Sequence, residues 1–304
     1  MSNSETAEVL IPRTLCAIEN LESLKVDDED LCSVFVAWEK GIVTKLAPIN
    51  IKHKKPKKIL FPRFVETHSH FDKSFTWPEF PNFKSTYEEA LSVNLEEHIT
   101  RTTNKVIKRA EKSLNLAIKN GYRAIRSHID TYQMQGDEIW VELFKMQKKY
   151  SSKLKLQFVA LAPLEFWDTE NGEGLAKQFF KEKIILGGVL VPPFNESKVK
   201  YLLSKMILLA DKYKLEIDLH IDESSINAGA GINILLKNID KLNIKVPITC
   251  SHLSSILNLK ENEILSLGRK IAEKNIKVIA LPLTNFWLLN RNDKSTSLNR
   301  PVAP

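Results

Sequence analysis

From Lys58 onward, short apolar runs alternate with longer stretches whose apolar residues recur at three- and four-residue spacing. The runs fall at Ile59 to Glu66, Ala124 to Ile129, Leu154 to Ala162, Ile184 to Val191, Ile217 to His220, Ile248 to His252 and Val278 to Leu283. They read as seven strands. Val106, Ala110, Leu114 and Ala117 repeat at helical spacing, and Gly121 supplies the stop. Further helices are expected over 138–149, 174–183, 197–213, 232–242 and 262–275. Such alternation predicts an α/β chain with a parallel sheet covered by helices, either an open doubly wound sheet or a (β/α) barrel. No G-x-G-x-x-G follows the first strand and no G-x-x-x-x-G-K-[ST] occurs, so the barrel is favoured.

The first sixty residues follow another pattern. Val9 to Ile11, Val34 to Trp38 and Ile42 to Leu46 are β-prone pieces separated by acidic or turn-like segments, and predict a small sheet. The expected division is 1–61 and 62–304.

Composition narrows the class. Hydrophobic residues make up 43% of the chain, enough for a core. Three cysteines are too few and too scattered for a disulfide framework, which points to a reducing compartment. No apolar run approaches a membrane span, and Met1 to Glu8 lacks the features of a signal peptide, so a cytoplasmic protein is expected. The net charge of +7 is mostly dispersed. Its one dense run, Lys52 to Lys58, reads as a solvated loop, so no nucleic-acid partner is expected.

Candidate chemistry lies in the histidines. Of seven, five fall at four strand ends: His68 with His70, His128, His220 and His252. The C-terminal ends of barrel strands are where loops converge on a functional mouth. In Thr67-His68-Ser69-His70-Phe71-Asp72, the i, i+2 imidazoles point the same way and can grip one cation such as zinc or iron. In Leu219-His220-Ile221-Asp222-Glu223, another imidazole stands three residues before a carboxylate suited to carrying a proton. Asp222 is either a solvated charge or a group that orients others. His252, in Cys250-Ser251-His252, is suited to orienting a water or stabilising charge on substrate. His128 and Asp130 read as a pair holding other groups in orientation, or as a satisfied structural pair. Phe75, Trp77, Phe80, Phe166, Trp167, Phe286 and Trp287 follow strand ends and either sandwich a planar ring or pack loops, the second being commoner for any one of them.

Phe64 to Asp72, Arg126 to Asp130, Ile217 to Glu223, Ser251 to Ser255 and Leu281 to Asn285 followed by Arg291 together resemble the amidohydrolase superfamily, within it the bacterial cytosine deaminase branch. The resemblance implies a (β/α)8-type (TIM) barrel with half of a β-sandwich at the N-terminus. It also implies one divalent metal ion (Zn or Fe) held by His68, His70 and His220, with Glu223 as proton shuttle and His252 beside the attacking water. Asn285, Trp287 and Glu165 fall at substrate-binding positions. The implied reaction is hydrolytic deamination of a small nitrogen heterocycle. The small zinc deaminase class needs H-x-E with P-C-x-x-C, and neither occurs.

Two departures carry expectations. Family members recognise the pyrimidine amide edge with a glutamine at the end of the third strand, where this chain has Leu164-Glu165. An ionised carboxylate cannot both donate and accept, which points away from cytosine itself. The family's eighth strand, whose aspartate binds metal and takes the first proton from water, has no counterpart before Pro304. A barrel with seven of eight strands is therefore expected, active only if the missing strand is supplied by a longer native product, a second copy or a complementing chain. The alternative is a truncated or degenerate homologue that keeps the histidines and does no chemistry.

Overall fold

The computed structural model describes residues 5–16, 26–49, 55–131 and 138–289. Lys52, His53, Lys54 and Arg291 lie outside the described residues. The chain divides into two compact units, Met1–Arg63 and Phe64–Pro304.

The first unit is a three-stranded antiparallel sheet of β1 (Glu5–Pro12), β2 (Leu31–Glu39) and β3 (Ile42–Pro48), in the order β1-β2-β3. Val9, Ile11, Cys32, Val34 and Val36 alternate along β1 and β2 and pack into one small core. All three strands run longer than their apolar centres, because the flanking residues continue the ladder.

The second unit holds a seven-stranded parallel sheet: β4 (Phe64–Ser69), β5 (Tyr122–Asp130), β6 (Lys155–Ala162), β7 (Ile185–Leu190), β8 (Ile217–Ile221), β9 (Ile248–His252) and β10 (Lys277–Ile279). The strands are ordered sequentially from β4 to β10 and curve into a nearly closed barrel. β4 and β10 are its two edges, and no eighth strand joins them among the described residues.

Helices α1 (Tyr87–Thr100), α2 (Thr103–Lys119), α3 (Glu138–Tyr150), α4 (Glu170–Phe179), α5 (Glu196–Tyr213), α6 (Ala230–Leu242), α7 (Glu261–Glu273) and α8 (Pro282–Leu288) intervene or follow. The apolar repeat explains α2. Val106, Ala110 and Leu114 are fully buried, Thr102 accepts from the Lys105 amide at its start, and Gly121 follows with φ +80°. Each buried Val or Leu contributes roughly 1.5–3 kcal/mol. The core between sheet and helices is continuous, with Trp140, Phe144, Phe158 and Phe179 stacked at its centre.

Three larger boundary shifts and one unforeseen helix depart from expectation. The first barrel strand is 64–69, not 59–66, since Ile59 only bridges to Leu10 in the small sheet. α4 starts at Glu170, not 174, because Thr169 caps it by accepting from the Gly172 amide. The last strand is only 277–279; Pro282, favourable in a first helical turn, opens α8 where a longer strand was expected. α1 was not foreseen at all, because its apolar residues are only weakly patterned.

Candidate metal centre

Alternation along the strands sets the interior layers. On β5, Arg126, His128 and Asp130 follow one another up the inner face; on β8, Asp218 and His220 do. The structure brings all five strand-end imidazoles into one cluster. His70 Nε2 lies 3.2 Å from both His68 Nε2 and His220 Nε2. His128 stacks on His68 with ring centroids 4.1 Å apart, and His252 lies 5.3 Å from both His68 and His220. Two triads, His68–His220–His252 and His68–His70–His128, each place their ligand atoms within 4.8 Å of one another. His68, His70 and His220, the expected triad, are joined pairwise through His70.

One ring N–H of His70 can serve only one of two neighbours at 3.2 Å, so lone pairs crowd together with no proton between them. Burial first holds His68, His70 and His220 well below the ordinary imidazole pKa; next come the neighbouring imidazoles for His68 and His220, and Lys73 ahead of them for His70. A second proton is thus refused where lone pairs converge. A divalent cation fits: nitrogens arranged tetrahedrally about 2.0–2.1 Å from zinc are about 3.3–3.4 Å apart. Buried nitrogens without protein partners, among them His128 Nδ1 and His252 Nε2, point the same way.

His252 reaches the cluster by breaking the strand's alternation. Thr249 and Ser251 face inward, where they meet Arg126 and Asp218. A regular strand would send His252 outward with the core residue Cys250. Its φ of +77° turns it instead towards Asn285, whose Oδ1 is 3.0 Å from His252 Nδ1. Burial lowers the His252 pKa to about 4. Glu223 Oε1 lies 3.4 Å from the same Nδ1, and burial raises the Glu223 carboxyl to about 8 against the pull of Lys73. Its proton is therefore held to higher pH than that of an ordinary carboxyl.

A cavity of about 820 Å³ opens over this cluster. His68, His70, His220, His252 and Glu223 line it, with Lys73, Tyr87, Asn94 and Asp130 on one wall and Glu165, Asn195 and Lys198 on another. Glu165 is half-exposed and paired with Lys198 at 2.7 Å. Asn285 is fully buried behind His252, and Trp287, partly exposed, is not among the lining residues. His128 likewise lies beneath the cavity rather than in its wall.

Two expected orienting groups have well-defined partners. Asp130 accepts from Lys73 Nζ, Arg101 Nη1 and Asn94 Nδ2 at 2.9–3.2 Å. Burial alone would raise its pKa, but Lys73 and Arg101 hold it below the usual carboxylate range. Arg101 also binds Asp72 and Glu97, and Arg109 binds Glu97, so three cations meet three anions. This network ties α1 and the 70–86 loop to the end of β5. Asp222 serves elsewhere: it accepts from the Gly231 and Ile232 amides at 2.8 and 2.9 Å, capping α6 from the end of β8. Burial raises it to about 6 despite those bonds. Lys73, Tyr87, Asn94, Arg101 and Asp218 were missed by sequence reasoning. Only Asp218 had a signal there, standing two residues before a histidine on one strand face.

Pterin deaminase of Rhizobium rhizogenes (strain K84 / ATCC BAA-868) is 28% identical over 249 residues, 81% of this chain and 56% of that protein. N-isopropylammelide isopropyl amidohydrolase of Pseudomonas sp. (strain ADP) is 24% identical over 199 residues, 64% of this chain and 49% of that one. The crystal structure of 5-methylcytosine deaminase from Klebsiella pneumoniae liganded with 5-fluorocytosine superposes with a TM-score of 0.71 at 20% identity, covering 89% of this chain and 67% of that one. These similarities support the amidohydrolase superfamily that the strand-end motifs resemble. The chain spans about half the length of the curated relatives it matches. No family model matches it. No described helix is long and apolar enough to cross a membrane.

Proposed function

We propose that this chain carries the metal centre of a hydrolase that releases ammonia or an amine from a small nitrogen heterocycle. The single observation that carries the reading is the convergence of five imidazoles, four of them lining one cavity, beside a carboxyl that burial raises to about 8. In this reading His68, His70 and His220 hold one divalent ion, zinc or iron, which when bound polarises a water for attack on a ring carbon.

The chain's own groups supply the rest. His252 Nδ1 donates to Asn285 Oδ1, leaving Nε2 as an acceptor to orient the water. Glu223 carries a proton to the departing nitrogen, a role its raised pKa suits because the acid must be protonated near neutrality. Substrate lies between the histidines and the Glu165–Lys198 pair, which presents an acceptor and a donor side by side to a heterocyclic edge. Asn285 and Trp287 act from behind or beside the cavity. His128 and Asp130 orient the groups above them, and Asp222 holds α6.

His68→Ala and His220→Ala are expected to abolish stoichiometric metal in the purified protein, measured by elemental analysis. Glu223→Gln is expected to keep the metal and lose turnover on aminated pteridine, pyrimidine or triazine rings. Unchanged metal in both histidine variants would end this reading.

One observation favours a second reading, that these residues alone do no chemistry. Both sheet edges lack a partner among the described residues, and Phe64, Val65 and Val278 there are 53%, 47% and 40% exposed. On that reading the working protein needs the gap covered by a second copy or a complementing chain. Turnover by the 304-residue chain alone would exclude it.

A further inference from the structure

Beneath the imidazoles lies a second polar layer. Asp218 is fully buried, and its Oδ2 accepts from Arg126 Nη1 at 2.8 Å. Its Oδ1 accepts from Ser251 Oγ at 3.1 Å and stands 3.3 Å from His128 Nε2, at the distance but not the alignment of a hydrogen bond. Ser251, also fully buried, has its Oγ 3.0 Å from His68 Nδ1.

A hydroxyl has one proton, and the Asp218 carboxylate can only accept. Ser251 therefore gives its proton to Asp218 and receives one from His68 Nδ1. With Nδ1 protonated, the lone pair of His68 sits on Nε2, the atom that faces His70. Among the described residues the second nitrogens of His70 and His220 have no hydrogen-bond partner, and of the three ligands His68 is the one held from behind.

We propose that Asp218, acting through Ser251, is a positioning residue of the metal centre: the relay Arg126–Asp218–Ser251–His68 fixes the tautomer of His68 and aims its Nε2 at the ion. This rests on the reading of His68 as a ligand. Outer hydrogen bonds of this kind orient metal-binding imidazoles and make them more basic, and their loss typically weakens metal affinity 10- to 100-fold.

The test is a zinc titration against a competing chelator on the full chain, for wild type, Ser251→Ala, Asp218→Asn and His68→Ala, with circular dichroism as the check on folding. It is joined to 15N spectra of the histidines in metal-free protein. Ser251→Ala is expected to weaken zinc binding by about 10- to 100-fold with the fold unchanged. His68 is expected as the Nδ1–H tautomer in wild type and as a mixture in Ser251→Ala. Asp218→Asn should weaken binding in the same direction; because it also removes one of the two carboxylates paired with Arg126, Ser251→Ala remains the deciding variant. Zinc affinity within about twofold of wild type in Ser251→Ala, with binding lost in His68→Ala, overturns the relay and leaves the metal centre standing. Zinc retained by His68→Ala brings down the metal-centre reading itself, and the relay with it.

Discussion

Glu223 shows how one residue couples chemistry to stability. Its carboxyl is 6% exposed, and burial lifts its pKa to about 8. A carboxyl raised on folding keeps its full stability below the unfolded value, near 4.3, and loses it as pH rises through the folded value. In metal-free protein, Glu223→Gln is therefore expected to gain stability relative to wild type between pH 5 and pH 8, by on the order of 3 kcal/mol. Urea unfolding at the two pH values measures this, and a difference independent of pH would contradict it. The residues that meet at this site were legible because histidine is rare and strand ends are easy to find. Of the Glu97–Arg101–Asp130–Lys73 network, only Asp130 was legible. The other members are ordinary surface residue types, and only the way α1 folds over the barrel mouth buries them together.

At the scale of elements, the start of α6 is the instructive case. Its N-cap, Gly229, offers no side-chain acceptor, and Asp222 reaches over from β8 to take its place. A Cβ on Gly231 would sit 2.8 Å from Asp222 Oδ1, so glycine makes room for the carboxylate. Helix propensity alone predicts that Gly231→Ala stabilises by up to about 1 kcal/mol. The opposite is expected here, a loss of about 1–3 kcal/mol as the cap is displaced and a buried carboxylate loses its donors. Thermal unfolding at pH 7.5 gives the sign directly. Apolar periodicity showed most of the helices and strands but could not show this cap, since Asp222 and Gly231 are joined only by tertiary folding. Element ends were least legible for the same reason: Thr169 and Pro282 decide where α4 and α8 begin, against the drift of the hydrophobic pattern.

For the molecule as a whole, four histidines set the acid limit. Burial lowers His68, His70, His220 and His252, so the fold keeps them neutral while the unfolded chain protonates them near 6.5. Their stability is full above that value and falls as pH drops towards the folded values, by up to about 1.4 kcal/mol per pH unit for each group. Metal-free protein is expected to lose stability steeply between pH 6.5 and pH 5, and zinc-loaded protein less so, which denaturant titrations with and without chelator would show. The seven-stranded architecture was readable from alternation, and the curvature that gathers the strand ends was expected with the barrel. That curvature has a mechanical consequence. His68 and His70 belong to one end of the open sheet, and Ser251 and His252 stand one strand from the other. Where a closed barrel joins its ends by a backbone ladder, here side chains span the slot. An ion seated among them would act as a clasp, and stripping it away would loosen the hoop at its seam before anything else in the fold gave way.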